Sequence, residues 1–140
     1  MRQCVFFAFL FMNLDFFHTL LNVDSTSGRE AELADILLVE FAAPGRKVES
    51  FDVGDGTKNI LVSWGSPKVV FCTHLDTVPP YIPPAVSTVC QSDGQDGVKV
   101  TGRGSCDAKG QIFSMWEACL ELERRGCTDF GLLLLAGEET

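Results

Sequence analysis

Lys68-Val69-Val70-Phe71-Cys72-Thr73-His74-Leu75-Asp76 decides the fold. Its first six residues are almost continuously apolar. A run of that length suits a strand buried on both faces, in a sheet covered by helices. The run ends on His74 and Asp76. Residues two apart in a strand face the same way, so both side chains can reach one place at the strand's carboxyl end. Open α/β sheets place their ligands at that end.

Working outward, the chain alternates helices with strands. Ser27 followed by Glu30 has capping-box spacing and predicts a helix start. That helix runs through Leu33, Ile36, Leu37 and Glu40 and ends before Pro44-Gly45. Lys47–Val53 and Asn59–Trp64 read as strands around Gly54-Asp55-Gly56, which has turn chemistry. The proline-rich stretch Val78–Pro84 excludes regular structure. Val98–Thr101 reads as a short strand. Asp107–Gly126 reads as a helix, with an apolar face at Ile112, Met115, Trp116, Cys119, Leu120 and Leu122. Glu121 and Arg125 pair on its other side, and Gly126 stops it. Phe130–Ala136 is a second buried strand. The fold class is therefore α/β, expected as a three-layer sandwich with a mostly parallel central sheet.

Composition bounds the function. The chain has 140 residues, 46% of them hydrophobic and 21% charged. That is enough for one domain with a real core. A net charge of −8 argues against a nucleic-acid partner, which needs a basic stripe. The six cysteines form no Cys-x-x-Cys pair. Cys72 and Cys119 read as reduced core thiols of a cytoplasmic protein. The apolar run Cys4–Met12 is too short to span a bilayer, and no membrane partner is expected. It fits a short signal core, the front of a buried helix extending to Leu21, or a misassigned start. Residues 1–13 are thus set apart from a catalytic portion over 14–140.

Three motifs carry chemistry. His74-Leu75-Asp76 offers a metal-ligating imidazole with an acid that can fix its tautomer. Gly102-Arg103-Gly104-Ser105-Cys106-Asp107-Ala108-Lys109-Gly110 brings an acid to the start of a helix, between glycines that let the backbone crowd a site. The phosphate-loop order Gly-x-x-x-x-Gly-Lys-Ser/Thr is absent there. Gly137-Glu138-Glu139-Thr140 places two carboxylates after a four-leucine strand, which is costly unless they leave the core or bind something. Each motif alone has a bland reading: a strand-end histidine, an N-cap aspartate, a solvated turn. Together they supply one His and several carboxylates that could meet at one sheet edge, a donor set suited to zinc. A second metal would need a bridging carboxylate.

In order and spacing these motifs resemble the family of acetylornithine deacetylase, succinyl-diaminopimelate desuccinylase, aminoacylase and carboxypeptidase G. The resemblance covers roughly residues 14–140. It implies two zinc ions, for which cobalt or manganese could substitute. His74 would bind one zinc, Asp107 would bridge both, and Glu139 would bind the other. Asp76 would orient His74, and Glu138 would be the general base. The implied reaction is hydrolysis of an amide bond in an N-acyl amino acid or dipeptide, with amino-acid biosynthesis as the first expectation. The peptide after Asp107 is often cis in such proteins.

The resemblance also implies a further acid, a late histidine and a second domain for dimerisation and substrate contact, none of which falls within these 140 residues. The expectation is a truncated chain with an incomplete site, its sheet incomplete at the C-terminal side, and little hydrolysis by this chain alone. The alternative is a non-enzymatic remnant, or half of a split enzyme completed by another chain. Tyr81-Ile82-Pro83-Pro84 is expected to line the site entrance, and His18 to be structural or on the surface.

Overall fold

The computed structural model describes residues 13–90 and 96–140. The Cys4–Met12 run lies outside the described residues, so its three readings concern a part not described. The first described element is helix α1, Leu14–Asn22, in which the Asn13 side chain accepts the Phe16 N–H. Its apolar stripe Phe16, Phe17, Leu20 and Leu21 is buried, as a 3.6-residue period demands. Helix α2 spans Ala31–Phe41.

Strands β1 (Lys47–Gly54) and β2 (Thr57–Gly65) form a hairpin. Its two turn residues, Asp55 and Gly56, both have positive φ. That is the backbone a two-residue turn needs to match strand twist. Strand β3 is Val69–His74. Strands β4 (Ala85–Cys90) and β5 (Asp96–Thr101) make a separate two-stranded sheet. Helix α3 spans Lys109–Arg124, and β6 spans Asp129–Leu135. Gly126, at positive φ, ends α3, with Gly126 N–H on Glu123 O and Cys127 N–H on Leu122 O. This is the paired-bond helix stop that glycine permits.

The main sheet has the order β1-β2-β6-β3. The α/β class stands, but the sheet is mixed rather than mostly parallel. Only β3 and β6 pair in parallel; β1/β2 and β2/β6 are antiparallel. The reason is connectivity. A two-residue turn can join only antiparallel strands, whereas the β3-to-β6 connection contains α3, long enough for a parallel crossover.

Register shows where the core lies. Ile60, Val62 and Trp64 of β2 stand opposite Leu134, Leu132 and Phe130 of β6, and all six are buried. Trp64 stacks on Phe130 with centroids 4.4 Å apart, and Trp116 of α3 lies 6.1 Å from Trp64. Phe41 of α2 is 4.1 Å from Trp116, and Phe17 of α1 stacks on Phe113 of α3 at 4.9 Å. All three helices therefore cover the same face. On the other face Leu61, Leu133 and Cys72 are in register, and Cys72 is exposed. Among the described residues the expected third layer is missing.

This corrects two readings. β3 is not buried on both faces, since Val69 and Val70 are 59% and 45% exposed. Cys72 is not a core thiol, although Cys119 is, its side chain fully enclosed on α3. Continuous apolarity gave no sign that β3 is an edge strand of this sheet. Strand β4 was missed altogether; its signal was the β-branched content of Val86, Thr88 and Val89. No helix of the described residues is long and apolar enough to cross a membrane.

Candidate metal centre

Parallel pairing brings the carboxyl ends of β3 and β6 side by side. His74 closes β3 opposite Leu135, and Leu75 N–H continues the ladder to Leu135 O at 2.7 Å. The chain after β6 turns at once through Gly137-Glu138-Glu139, so the two acids emerge beside His74. The loop into α3 adds Asp107 from the third side.

His74 is nearly buried. Its Nδ1 lies 3.0 Å from Asp76 O and 3.3 Å from Asp76 Oδ1; its Nε2 lies 3.1 Å from Asp107 Oδ1. If Nδ1–H donates to Asp76, a lone pair on Nε2 faces a carboxylate. Such an arrangement calls for a proton or a cation between them. Burial pushes the imidazole pKa down, but the hydrogen bond to Asp107 and the charges of Asp76 and Asp107 outweigh it, and the net shift is upward.

Asp76 is fully buried yet carries its charge, because both oxygens are satisfied. Oδ1 accepts the Glu138 N–H at 3.0 Å as well as facing His74. Oδ2 accepts the Glu139 N–H at 2.8 Å and the Ser27 hydroxyl at 2.9 Å. Burial raises its pKa, and the Glu139, Glu138 and Ser27 donors bring the net below the ordinary value. Carboxylates with several N–H donors behave so. Asp76 therefore sits behind the site and holds the His74 ring and the Glu138-Glu139 turn together.

Asp107 is exposed, and its peptide to Ala108 is cis, as the resemblance implied. It is not the N-cap of α3, a place taken by Ala108. Gln111, on the first turn of α3, donates to Asp107 Oδ1 at 3.3 Å and accepts the Thr73 hydroxyl at 2.9 Å. Thr73 thereby orients the Gln111 amide with its NH2 toward Asp107. Lys109 is enclosed, its Nζ donating to Val23 O at 2.5 Å, and burial lowers its pKa to about 8. Gly104 makes room for it; a Cβ there would meet Lys109 Cδ at 2.9 Å and Thr77 Cγ2 at 3.0 Å.

One ligand atom each from His74, Asp107 and Glu139 lie within 4.8 Å of one another. Nitrogen and carboxylate oxygens at that spread fit a divalent cation, whose bonds to them are about 2 Å long. Glu138 joins these three in lining an open cleft of about 420 Å³, with Cys72, Thr73, Gln111 and Leu135. The Tyr81–Pro84 stretch is not among the described lining residues. The Tyr81 hydroxyl donates to Leu21 O and Asn22 O at the end of α1 instead. His18 is exposed on α1 and bonded to Asn22. Sequence reasoning missed Ser27, Glu30, Thr73 and Gln111. Of these, only the Ser27–Glu30 spacing gave a signal, and it was read as a helix cap.

A mixed α/β sheet with a histidine and carboxylates at the ends of two parallel strands defines a candidate metallohydrolase class. The profile of peptidase family M20/M25/M40 matches residues 70–140, half of the chain, and the chain belongs to that family. It is 36% identical over 138 residues to a protein of Talaromyces marneffei described as a probable carboxypeptidase, covering 86% of this chain and 31% of that protein. A tripeptidase from Staphylococcus aureus is 26% identical with a TM-score of 0.68, covering 90% of this chain and 36% of that one. Human carnosine dipeptidase 1 shares the fold, with a TM-score of 0.70 at 19% identity, over 90% of this chain and 32% of the other. The chain thus spans about a third of the length of each of these three proteins.

Proposed function

We propose that this chain carries part of the metal centre of a peptidase that hydrolyses amide bonds in small peptides. The convergence of His74, Asp107 and Glu139 carries the reading. These residues would hold zinc, with Asp107 shared between two ions. A bound divalent metal supplies Lewis acidity, polarising an amide carbonyl and easing loss of a proton from water. Glu138, one of the residues lining the cleft, takes that proton and returns it to the leaving nitrogen. Asp76 holds the His74 ring. Free thiols at Cys72 and Cys119 suit a reducing, cytoplasmic compartment.

The names of the relatives support peptides over N-acyl amino acids such as acetylornithine. Both present the same amide carbonyl, so both belong in the assay. A closed zinc site takes about four ligands, so the three donors grouped among the described residues cannot saturate two ions. Little turnover is therefore expected from the 140-residue chain alone.

Cobalt(II) titration followed in the visible range tests the reading. The chain should bind cobalt, zinc should displace it, and His74→Ala should weaken binding at least tenfold, as loss of a direct ligand costs no less than loss of its outer partner, about 10–100-fold. A chain that binds no cobalt, or a His74→Ala variant that binds like the parent, rejects the metal centre. Zinc-loaded chain is then assayed on dipeptides and N-acetyl amino acids, and rapid turnover would contradict the incomplete site.

A further inference from the structure

The segment from Ser25 to Glu30 lies against the metal centre from behind, and its polar side chains do not serve α2. Glu30 occupies the N-cap of that helix but makes no side-chain cap bond. The Ser27 hydroxyl, which a capping box would direct into the same helix, donates 2.9 Å to Asp76 Oδ2 instead. Glu30 is 1% exposed, and its Oε1 accepts the Gly137 N–H at 3.2 Å. Its Oε2 has no hydrogen-bond partner among the described residues. A buried carboxylate oxygen left so is costly, and it is tolerated here while the other oxygen holds a turn.

Backbone bonds register the segment. Thr26 bridges Thr77 in parallel, Ser27 N–H donates to Thr77 O, and Thr77 N–H donates to Ser25 O. The Ser25 hydroxyl closes on Leu75 O at 2.8 Å. The strap therefore grips both ligand-bearing loops, the one after β3 through Asp76 and the one after β6 through Gly137.

We propose that Ser27 and Glu30 are positioning residues for the metal centre. Ser27 fixes the Asp76 carboxylate, which in turn aims His74 and the Glu138-Glu139 amides. Glu30 fixes the hinge of the Gly137 turn that delivers Glu139. The inference rests on the metal-centre reading. Its physical basis is that ligands must be held by locked outer partners to bind tightly.

The test uses the 140-residue chain with cobalt(II) as the probe, and circular dichroism to report the folded fraction. Ser27→Ala should leave the dichroism unchanged, weaken cobalt binding about 10–100-fold and shift the visible cobalt bands. Ser27→Thr, which keeps the hydroxyl, should restore both. Glu30→Leu should act in the same direction through Gly137, and should it not fold, the Ser27 pair decides. Two results overturn the inference while leaving the metal centre intact. One is Ser27→Ala binding cobalt like the parent with the same bands; the other is affinity lost only in proportion to unfolding. Failure of the parent to bind cobalt overturns the metal centre and this inference with it.

Discussion

Gly110 shows how one missing atom supports a site. It lies in the first turn of α3, where Ala would ordinarily be the better helix former by about 1 kcal/mol. A Cβ there, however, would run into the backbone carbonyl oxygen of Ser105. Gly110 N–H also donates to Gly104 O at 3.0 Å, so the loop carrying Asp107 folds tightly onto the helix start. Overpacking of this kind costs about 1–3 kcal/mol, and here backbone must move to relieve it. Gly110→Ala should therefore destabilise the chain by about 2 kcal/mol in urea melts, and weaken cobalt binding because Asp107 shifts. An unchanged or raised melting midpoint would show that the Ser105 loop yields freely.

Helix α3 is anchored by a charged group placed among aromatics. Arg46, just before β1, bonds to Glu123 through Nε at 2.8 Å and lies 4.9 Å from the centroid of the Trp116 ring. Trp64 Nε1 also donates to Glu123, at 2.8 Å. The Arg46 hydrogen bond, opposed by burial and helped by the Trp64 bond and the Arg46 charge, holds the Glu123 pKa below its ordinary 4.5. A depressed carboxylate contributes stability above its unfolded pKa, and that contribution is lost as pH falls through the folded value. Glu123→Gln should cost about 2 kcal/mol near neutrality, toward the lower side for a partly buried pair. It should also flatten the fall of stability below pH 4.5. Urea melts from pH 3 to pH 7 give both quantities, and equal slopes for parent and variant would show that the pair is too solvated to matter.

The described molecule has one finished face and one unfinished one. Its helices lie on the side of Ile60, Leu132 and Trp116, while Phe51, Val70 and Cys72 stay exposed. Uncovered apolar surface and an unpaired edge at β3 favour association between chains. The 140-residue chain should therefore self-associate with rising concentration in sedimentation velocity. Val70→Lys should reduce that association, since a charged side chain on an edge strand opposes strand addition. A monomer at all concentrations would show that neither this face nor the β3 edge drives association.

The α/β class, the presence of α2 and α3, the glycine stop of α3 and the residues of the three motifs were legible along the chain. Each rests on local chemistry: helical spacing, glycine stops, and acids or imidazole set beside apolar runs. The start of α2 was not legible, since it begins at Ala31 and not at the Ser27 box. Pairing was not legible, because a run such as Val69–Thr73 records its own apolarity and not its neighbours. Hence the mixed sheet, the exposed edge at β3 and the missed strand β4 emerged only once strands were set side by side. The same holds for Ser27 and Glu30. Their spacing is identical whether they cap a helix or reach Asp76 and Gly137, and the choice falls to residues 49 and 107 positions away. Spacing constrains what a side chain can bond nearby; packing brings distant partners, the Asp76 carboxylate for Ser27 and the Gly137 N–H for Glu30, closer than the local ones and so selects the bond that forms.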